Sequence, residues 1–216
     1  MTQLDPLQYV LDRWAVKLEP RQKLPLDIYT MSRDDLAVLF HELGYRTGVE
    51  IGVERGLYSE VLLSSNPDLN LYLVDPWKAH REYRDHTSQS KLTRFHEEAQ
   101  ERLKQFGKRA RFFRALSMDA TKRFRRGDLD FVYIDANHTF DYCMMDIIEW
   151  SKRVRPGGIV AGHDYMRRPP KGYHNWGVIK AAVSYADAHQ IAPWFTIGGA
   201  RQDEVRSFFW IRPEGP

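Results

Sequence analysis

Short apolar runs alternate with longer amphipathic stretches through most of the chain. Five of these runs have the length of a buried strand, at residues 49–51, 69–74, 111–115, 129–134 and 159–162. Each is followed, directly or after a loop, by apolar residues at helical spacing. Strands that alternate with helices form mainly parallel sheets with helices packed on both faces. The pattern therefore predicts an α/β fold built on a doubly wound sheet.

The two ends of the chain complete this architecture. Two further strands are predicted at 194–197 and 207–211, separated by a polar loop, which gives seven strands with an antiparallel edge strand. Residues 1–44 instead show apolar residues at helical spacing, and Ser32 has the position of a helix N-cap. We therefore predict N-terminal helices over 1–44, the sheet within 45–216, and one globular domain overall.

The stretch from Tyr45 to Leu63 contains the most informative turn. An apolar run around Glu50 breaks at Gly52 and Gly56, and a helix follows, as at the ligand-binding edge of a βαβ unit. The spacing is Glu-x-Gly-x-x-x-Gly, whereas Gly-x-Gly-x-x-Gly turns bind a pyrophosphate. Glu50 would repel an anion and suits a ligand with a positive end, such as S-adenosylmethionine (SAM). Taken alone, the pattern also fits an ordinary strand-to-helix turn.

Two later turns offer groups for the rest of such a ligand. Asp75 ends the second strand about 20 residues past the glycine turn, where a carboxylate can accept ribose hydroxyls, although it could merely open the turn before Pro76. Ser117, Met118 and Asp119 follow the third strand, beside the expected adenine pocket. Met118 could pack on the ring and Ser117 or Asp119 could meet its polar edge. Ser and Asp also cap helices for local reasons.

Two adjacent predicted strands end in acidic and imidazole side chains. The run at 129–134 leads into Asp135 and His138, and the next strand leads into His163 and Asp164. The carboxyl ends of parallel strands meet at one edge of the sheet, where ligands bind. The sequence therefore predicts a cluster of two carboxylates and two histidines in the cleft.

Composition narrows the class of protein. The chain has 216 residues, 43% of them hydrophobic and 28% charged, and a net charge of +3, which is too small to indicate nucleic-acid binding. The single cysteine, Cys143, excludes an intrachain disulfide. No signal peptide and no run of about 20 apolar residues is visible. We expect a cytoplasmic protein without a membrane partner, and homo-oligomerisation stays open.

Taken together, the motifs resemble those of class I SAM-dependent methyltransferases. GVEIGVERGLYS is similar to their first motif, LYLVDPW to the second, ALSMDA to the third, and DFVYIDANHTFDYCMMDIIEWSKRVRPGGIVAGHDY to the fourth and fifth. The five motifs stand in family order over roughly residues 33–212. Within the class, the chain resembles the small bacterial O-methyltransferases of family 24 and of the catechol and macrolide-sugar types. The resemblance implies a Rossmann-like fold and methyl transfer from SAM to a hydroxyl of a small-molecule acceptor.

The resemblance also implies roles for individual residues. The SAM site would be formed by Glu50, Gly52, Gly56, Tyr58, Ser59, Asp75, Trp77, Ser117, Met118, Asp119 and Asp135. Asp135, His163 and Asp164 would be metal ligands, and His138 would be the general base, so that Asp135 and His138 form the catalytic centre. Relatives usually carry a carboxylate where this chain has His163. A histidine there disfavours Mg²⁺ and leaves room for a softer divalent metal or for none.

Three other interpretations stay open at the level of sequence. A nicotinamide-dependent oxidoreductase could use a similar sheet, although Glu50 and the glycine spacing disfavour it. An intact cluster of Asp135, His138 and Asp164 disfavours a non-catalytic SAM-binding module. A metal-independent N-methyltransferase would differ in its acceptor and would need no ion. Loops at 78–90 and 166–177 are predicted to shape the acceptor pocket.

Overall fold

One mixed sheet forms the centre of the protein in the computed structural model, which describes residues 4–79, 88–167, 176–199 and 205–214. The eight strands in these ranges are β1 (Leu26–Ile28), β2 (Thr47–Ile51), β3 (Asn70–Val74), β4 (Ala110–Phe113), β5 (Leu129–Ile134), β6 (Val154–Gly162), β7 (Phe195–Ile197) and β8 (Ser207–Ile211). Their spatial order is β1-β7-β8-β6-β5-β2-β3-β4. All pairings are parallel except those of β8 with β6 and β7.

Helices cover both faces of this sheet. They are α1 (Pro6–Arg13), α2 (Arg33–Glu42), α3 (Leu57–Ser65), α4 (Gln89–Leu103), α5 (Ser117–Ala120), α6 (Phe140–Ser151) and α7 (Val178–Ala188). Buried residues of α2, α3 and α4 share one core cluster with the sheet, and those of α6 and α7 share the other. In the ranges that the structure describes, no helix combines the length and the apolar character needed to cross a bilayer.

The predicted fold class is confirmed, and the structure refines it in two respects. The sheet has an eighth strand, β1, which lies within the segment predicted to be helical and pairs with β7. The antiparallel strand β8 lies inside the sheet, between β6 and β7, rather than at its outermost position. Three residues are too few to show an alternation of apolar and polar positions, so β1 left no signal of its own. It is held by long-range contacts, because Asp27 accepts hydrogen bonds from Thr196 and Arg206.

The loops predicted at 78–90 and 166–177 lie largely outside the described residues. The division of the chain at residue 44 stays a prediction.

Helix α2 packs against the sheet through a stack of rings above a glycine. Phe40 of α2 stacks on Phe131 of β5 with ring centroids 3.9 Å apart. The Phe131 ring in turn lies over Gly48 of β2, where a Cβ atom would come within 2.1 Å of the ring. A glycine at this position thus lets α2 approach the sheet closely enough to reach the edge where ligands bind.

Replacing Gly48 with alanine should destabilise the fold. The added methyl group would overlap the Phe131 ring, and overpacking of this kind lowers the free energy of unfolding by about 1–3 kcal/mol. Urea denaturation would measure the loss. In a Gly48→Ala/Phe131→Leu double variant the smaller side chain should relieve part of the clash, so that the two effects are less than additive. Strict additivity would contradict this account of the packing.

Candidate active site

The carboxyl ends of β2, β3, β5 and β6 open into a cavity of about 740 Å³. This volume lies in the range of small-molecule sites, roughly 300–1,000 Å³. Ten of the residues predicted from the sequence line it: Glu50, Gly52, Tyr58, Asp75, Ser117, Met118, Asp135, His138, His163 and Asp164. Residues from the ends of five strands, β2 to β6, therefore meet at one edge of the sheet.

Two further predicted residues support the cavity from behind. Ser59 is buried and its hydroxyl donates a hydrogen bond to the Glu50 carboxylate. Gly56 has a φ of 71° and precedes the first residue of α3, where a Cβ atom would lie 3.1 Å from Leu103 of α4. Neither residue lines the cavity itself. Their effect on a ligand would be exerted through Glu50 and through the start of α3.

The structure does not place Trp77 and Asp119 in the cavity. Trp77 is fully buried, and its indole N–H donates to the Glu54 carbonyl at 2.8 Å. Asp119 is exposed and pairs with Lys122 at 2.7 Å, because the single turn of α5 directs it to solvent while Ala120 points inward. Neither side chain lines the cavity, and their predicted contacts with adenosine and with the adenine edge stay predictions.

Gly52 joins the glycine turn to the end of β5. Its φ is 87°, and a Cβ atom there would lie 1.9 Å from the Asp135 carbonyl oxygen. Its N–H donates to the Val74 carbonyl at 2.9 Å, and the Asp135 N–H donates to the Ile51 carbonyl at 2.7 Å. Only glycine fits between the two backbones. This contact fixes the distance between Glu50 on β2 and the acidic cluster after β5.

Glu50 is a carboxyl group almost removed from solvent. It is 2% exposed, and its direct partner is the hydroxyl of Ser59. Burial, with a smaller contribution from the nearby charge of Asp135, raises the pKa of Glu50 to about 8 against the opposing Ser59 hydrogen bond. An ammonium group of a ligand would give the Glu50 carboxylate a positively charged partner and would favour its ionised form.

Asp75 stabilises the glycine turn directly. One carboxylate oxygen accepts from the N–H groups of Val53 and Glu54 at 3.1 and 3.0 Å, and the other accepts from the N–H of Trp77 at 2.7 Å. The residue also lines the cavity. Its contact with a ribose stays a prediction.

Arg33, the first residue of α2, brings a cation into the cavity that sequence reasoning missed. Its guanidinium lies over the Tyr58 ring at 4.5 Å from the centroid, and Nη1 is 3.9 Å from Oδ2 of Asp135. The Tyr58 hydroxyl donates to the Arg33 carbonyl at 2.9 Å. The adjacent N-cap Ser32 was predicted correctly, with a capping box to Asp35. The direction of the Arg33 side chain depends on packing that the sequence does not display.

Asp135, His138, His163 and Asp164 form a compact cluster. Nε2 of His138 lies 2.7 Å from Oδ2 of Asp164 and 3.7 Å from Oδ1 of Asp135. Nδ1 of His163 lies 3.5 Å from Oδ2 of each carboxylate. The His138 ring stacks on Trp176 with centroids 4.4 Å apart. The predicted convergence of two carboxylates and two histidines is therefore present.

The charges in this cluster stabilise one another. Burial alone would raise the pKa of Asp135, but His163 and His138 hold it well below its usual range. The pKa of Asp164 is likewise lowered against burial by hydrogen bonds from the two histidines. Burial would lower the pKa of His163, but Asp135 and Asp164 raise it to about 9. At neutral pH the cluster thus holds two carboxylates and at least one imidazolium.

The donor atoms also suit a divalent metal ion. One atom each of Asp135, His138 and Asp164 lies within 4.8 Å of the others. His138 completes this set of three. Nδ1 of His163 lies 3.5 Å from an oxygen of each carboxylate, and its predicted role as a metal ligand stays a prediction. Two oxygens and one imidazole nitrogen fit an ion of borderline softness better than they fit Mg²⁺.

Asp146 is a second residue of the cavity that sequence reasoning missed. It lies on α6, is 4% exposed, and accepts a hydrogen bond from the Ser117 hydroxyl. Burial raises its pKa to about 7, against that hydrogen bond. The available signal was its spacing, because Asp146 falls on the same helix face as the buried residues Cys143 and Trp150.

Comparisons with known proteins define the class. A family described as a methyltransferase domain matches residues 49–165, more than half of the chain. The protein is a SAM-dependent methyltransferase, and the predicted class is confirmed. The chain belongs to this methyltransferase-domain family. No curated protein matches it significantly.

Solved structures share the fold at low sequence identity. TomG of Streptomyces achromogenes, an O-methyltransferase of tomaymycin synthesis in complex with SAM, is 16% identical with a TM-score of 0.59, covering 84% of this chain and 79% of TomG. A Bacillus cereus O-methyltransferase in complex with SAH is 15% identical with a TM-score of 0.58, covering 98% and 92%. An rRNA methylase of Streptococcus thermophilus is 10% identical with a TM-score of 0.59, covering 85% and 98%. At such identities the likeness shows the fold alone.

Glu50→Gln should make the stability of the ligand-free protein less sensitive to a rise in pH from 5 to 8. A carboxyl whose pKa rises from 4.5 to about 8 on folding stabilises the fold fully below pH 4.5, and this contribution is lost as pH rises toward 8. Wild-type protein should therefore lose unfolding free energy between pH 5 and 8, and Glu50→Gln should lose less. Urea denaturation at several pH values measures this slope. Ser59→Ala keeps the carboxyl and should keep the slope, whereas equal slopes in wild type and Glu50→Gln would refute the assignment.

Proposed function

We propose that the protein transfers the methyl group of SAM to a hydroxyl group of a small-molecule acceptor, with His138 as general base. The observation that carries the proposal is the 2.7 Å contact of His138 with Asp164 in the cavity that Glu50 also lines. Two structures that share this fold are described as O-methyltransferases, one in complex with SAM and one with SAH. The match to a methyltransferase-domain family disfavours the alternative of a nicotinamide-dependent oxidoreductase.

Methyl transfer is a displacement at a carbon bound to a sulfonium. The acceptor oxygen forms a bond to the methyl carbon, the carbon–sulfur bond breaks, and neutral S-adenosylhomocysteine leaves. The acceptor proton passes to His138, and Asp164 stabilises the resulting imidazolium. The positive charges of Arg33 and His163 beside Asp135 would favour an ionised hydroxyl. Holding the two reactants in line can supply about 7–11 kcal/mol of the barrier.

A divalent ion at the triad of Asp135, His138 and Asp164 is the second candidate, favoured by the convergence of their donor atoms. When bound, such an ion would orient the acceptor hydroxyl and lower its pKa. His138 cannot serve as both ligand and base through the same nitrogen, so the two roles give different results on chelation. A cytoplasmic location and the absence of nucleic-acid and membrane partners stay predictions.

Replacing His138 with alanine should lower the rate of methyl transfer without weakening cofactor binding. Loss of a general base lowers kcat by about 10²–10⁴-fold. The rate is measured as S-adenosylhomocysteine release across a panel of small phenols and sugar alcohols, and cofactor affinity by titration calorimetry. Added imidazole should restore part of the rate if the ring acts as a base. Activity equal to wild type would refute the role of His138.

Chelation separates the two candidates. With His138 as the base and no ion, EDTA should leave the wild-type rate within about twofold, since a base works without a metal. A rate that falls with EDTA and returns with Mn²⁺, but not in Asp135→Asn, would select the metal-assisted reaction. Calorimetry with Mn²⁺ alone gives an independent measure of ion binding. Methyl transfer to amines, with no transfer to the hydroxyl acceptors, would instead show that the enzyme is an N-methyltransferase.

A further inference from the structure

The Asp146 carboxyl at one end of the cavity has no role in the proposed chemistry. It is 4% exposed, yet it lines the cavity together with Ser117 and Met118. Among the described residues, its hydrogen-bond partner is the Ser117 hydroxyl, and no lysine, arginine or histidine forms an ion pair with it. Buried carboxyl groups normally have several hydrogen bonds or a charged partner. The arrangement points to a hydrogen-bond donor supplied by a ligand.

A chain of hydrogen bonds fixes the direction in which Asp146 can act. The indole N–H of Trp150, which can only donate, donates to the Ser117 oxygen at 2.8 Å. The Ser117 hydroxyl consequently directs its proton to Asp146. One carboxylate oxygen of Asp146 thus accepts the hydrogen bond from Ser117, and an ionised Asp146 can only accept further hydrogen bonds from the cavity. A ligand atom that meets it favourably must be a donor.

The position of Asp146 indicates which part of the ligand it would meet. Glu50 lies on β2, whereas Ser117, the partner of Asp146, follows β4, and β3 lies between these two strands. Glu50 and Asp146 therefore belong to different parts of one cavity. The side chains near Asp146 include Met118, Tyr142 and Met145, which are suited to pack on a flat ring. The adenine of SAM has one donor at its polar edge, the exocyclic amino group.

We propose that Asp146 accepts a hydrogen bond from the exocyclic amino group of the adenine and thereby selects 6-amino over 6-oxo purines. The inference rests on the proposed use of SAM and names the residue that recognises its base. The sequence suggested Asp119 for contact with the polar edge of the adenine, but Asp119 pairs with Lys122 in solvent. The inference assigns this contact to Asp146 on α6. Ser117 and Trp150 are positioning residues in this arrangement.

The test compares S-adenosylhomocysteine with S-inosylhomocysteine, in which a carbonyl oxygen replaces the amino group. Titration calorimetry at pH 8, where Asp146 with its pKa of about 7 is mostly ionised, gives both affinities. Wild-type protein should prefer the adenine compound by at least about tenfold, because a site built around a donor rejects an acceptor. A wild type that binds both compounds equally would overturn the inference without any variant.

Asp146→Asn should change this preference. The Ser117 hydroxyl will hold the amide oxygen, so that the amide NH₂ faces the cavity and repels the adenine amino group. The ratio of the two affinities should fall to within about threefold of unity or reverse. Asp119→Asn, which removes an exposed carboxylate from the neighbouring turn, is the matched control and should keep the wild-type ratio. Circular dichroism establishes that both variants are folded.

The outcomes separate this inference from the proposed function. Normal binding of S-adenosylhomocysteine with an unchanged ratio in Asp146→Asn would overturn the role of Asp146 alone. A changed ratio in Asp119→Asn, with Asp146→Asn unaffected, would return the role to Asp119. Failure of the wild type to bind either compound would refute SAM use, and the inference with it.

Discussion

The close approach of two backbones, at Gly52 and Asp135, is the constraint on which the cavity depends. The turn after β2 lies so near the end of β5 that a Cβ atom at Gly52 would overlap the Asp135 carbonyl. Backbone hydrogen bonds from Gly52 to Val74 and from Asp135 to Ile51 hold three strand ends together at this point. Side chains that leave these ends therefore have little freedom in their separation. The positions of Glu50, Asp75 and Asp135 follow from this arrangement.

The carboxyl groups of the cavity fall into two kinds. Asp135 and Asp164 already have two imidazole neighbours, His138 and His163, and both carboxyl groups keep a lowered pKa in spite of burial. Glu50 and Asp146 have a serine hydroxyl as their direct partner, and burial raises the pKa of each. The first kind suits chemistry that needs fixed charge. The second kind is incomplete without a ligand, and an ammonium group and an amino group are the donors that SAM would bring to them.

Much of the site could be predicted from the sequence because its signals are local. Strand, glycine turn and helix follow one another within Tyr45 to Leu63, and the acidic and histidine residues after β5 and β6 stand directly at the strand ends. The direction of a side chain is harder to predict. Trp77 and Asp119 stand at the expected places in the chain, but packing buries Trp77 and Asp119 pairs with Lys122 in solvent, so that neither lines the cavity.

The residues that were missed have a different explanation. Asp146 lies inside an apolar helix stripe and looks like part of the core, and Arg33 reaches the cavity only because α2 packs against the sheet. β1 was missed because its pairing partner is distant in sequence. Hydrophobic periodicity indicates which face of a helix or strand is buried, but it does not indicate against which other element that face packs.

The position of β1 also has a consequence for the order in which the chain can assemble. Asp27 bonds to Thr196, 169 residues further along, so this edge of the sheet cannot form until most of the chain has been synthesised. The strands β2 to β6, in contrast, can pair as they emerge, because each of β3 to β6 has a partner strand that precedes it in the chain. Contacts between such distant segments carry a large loop-closure entropy and slow folding. A nascent chain would therefore leave β1 unpaired until β7 has been synthesised.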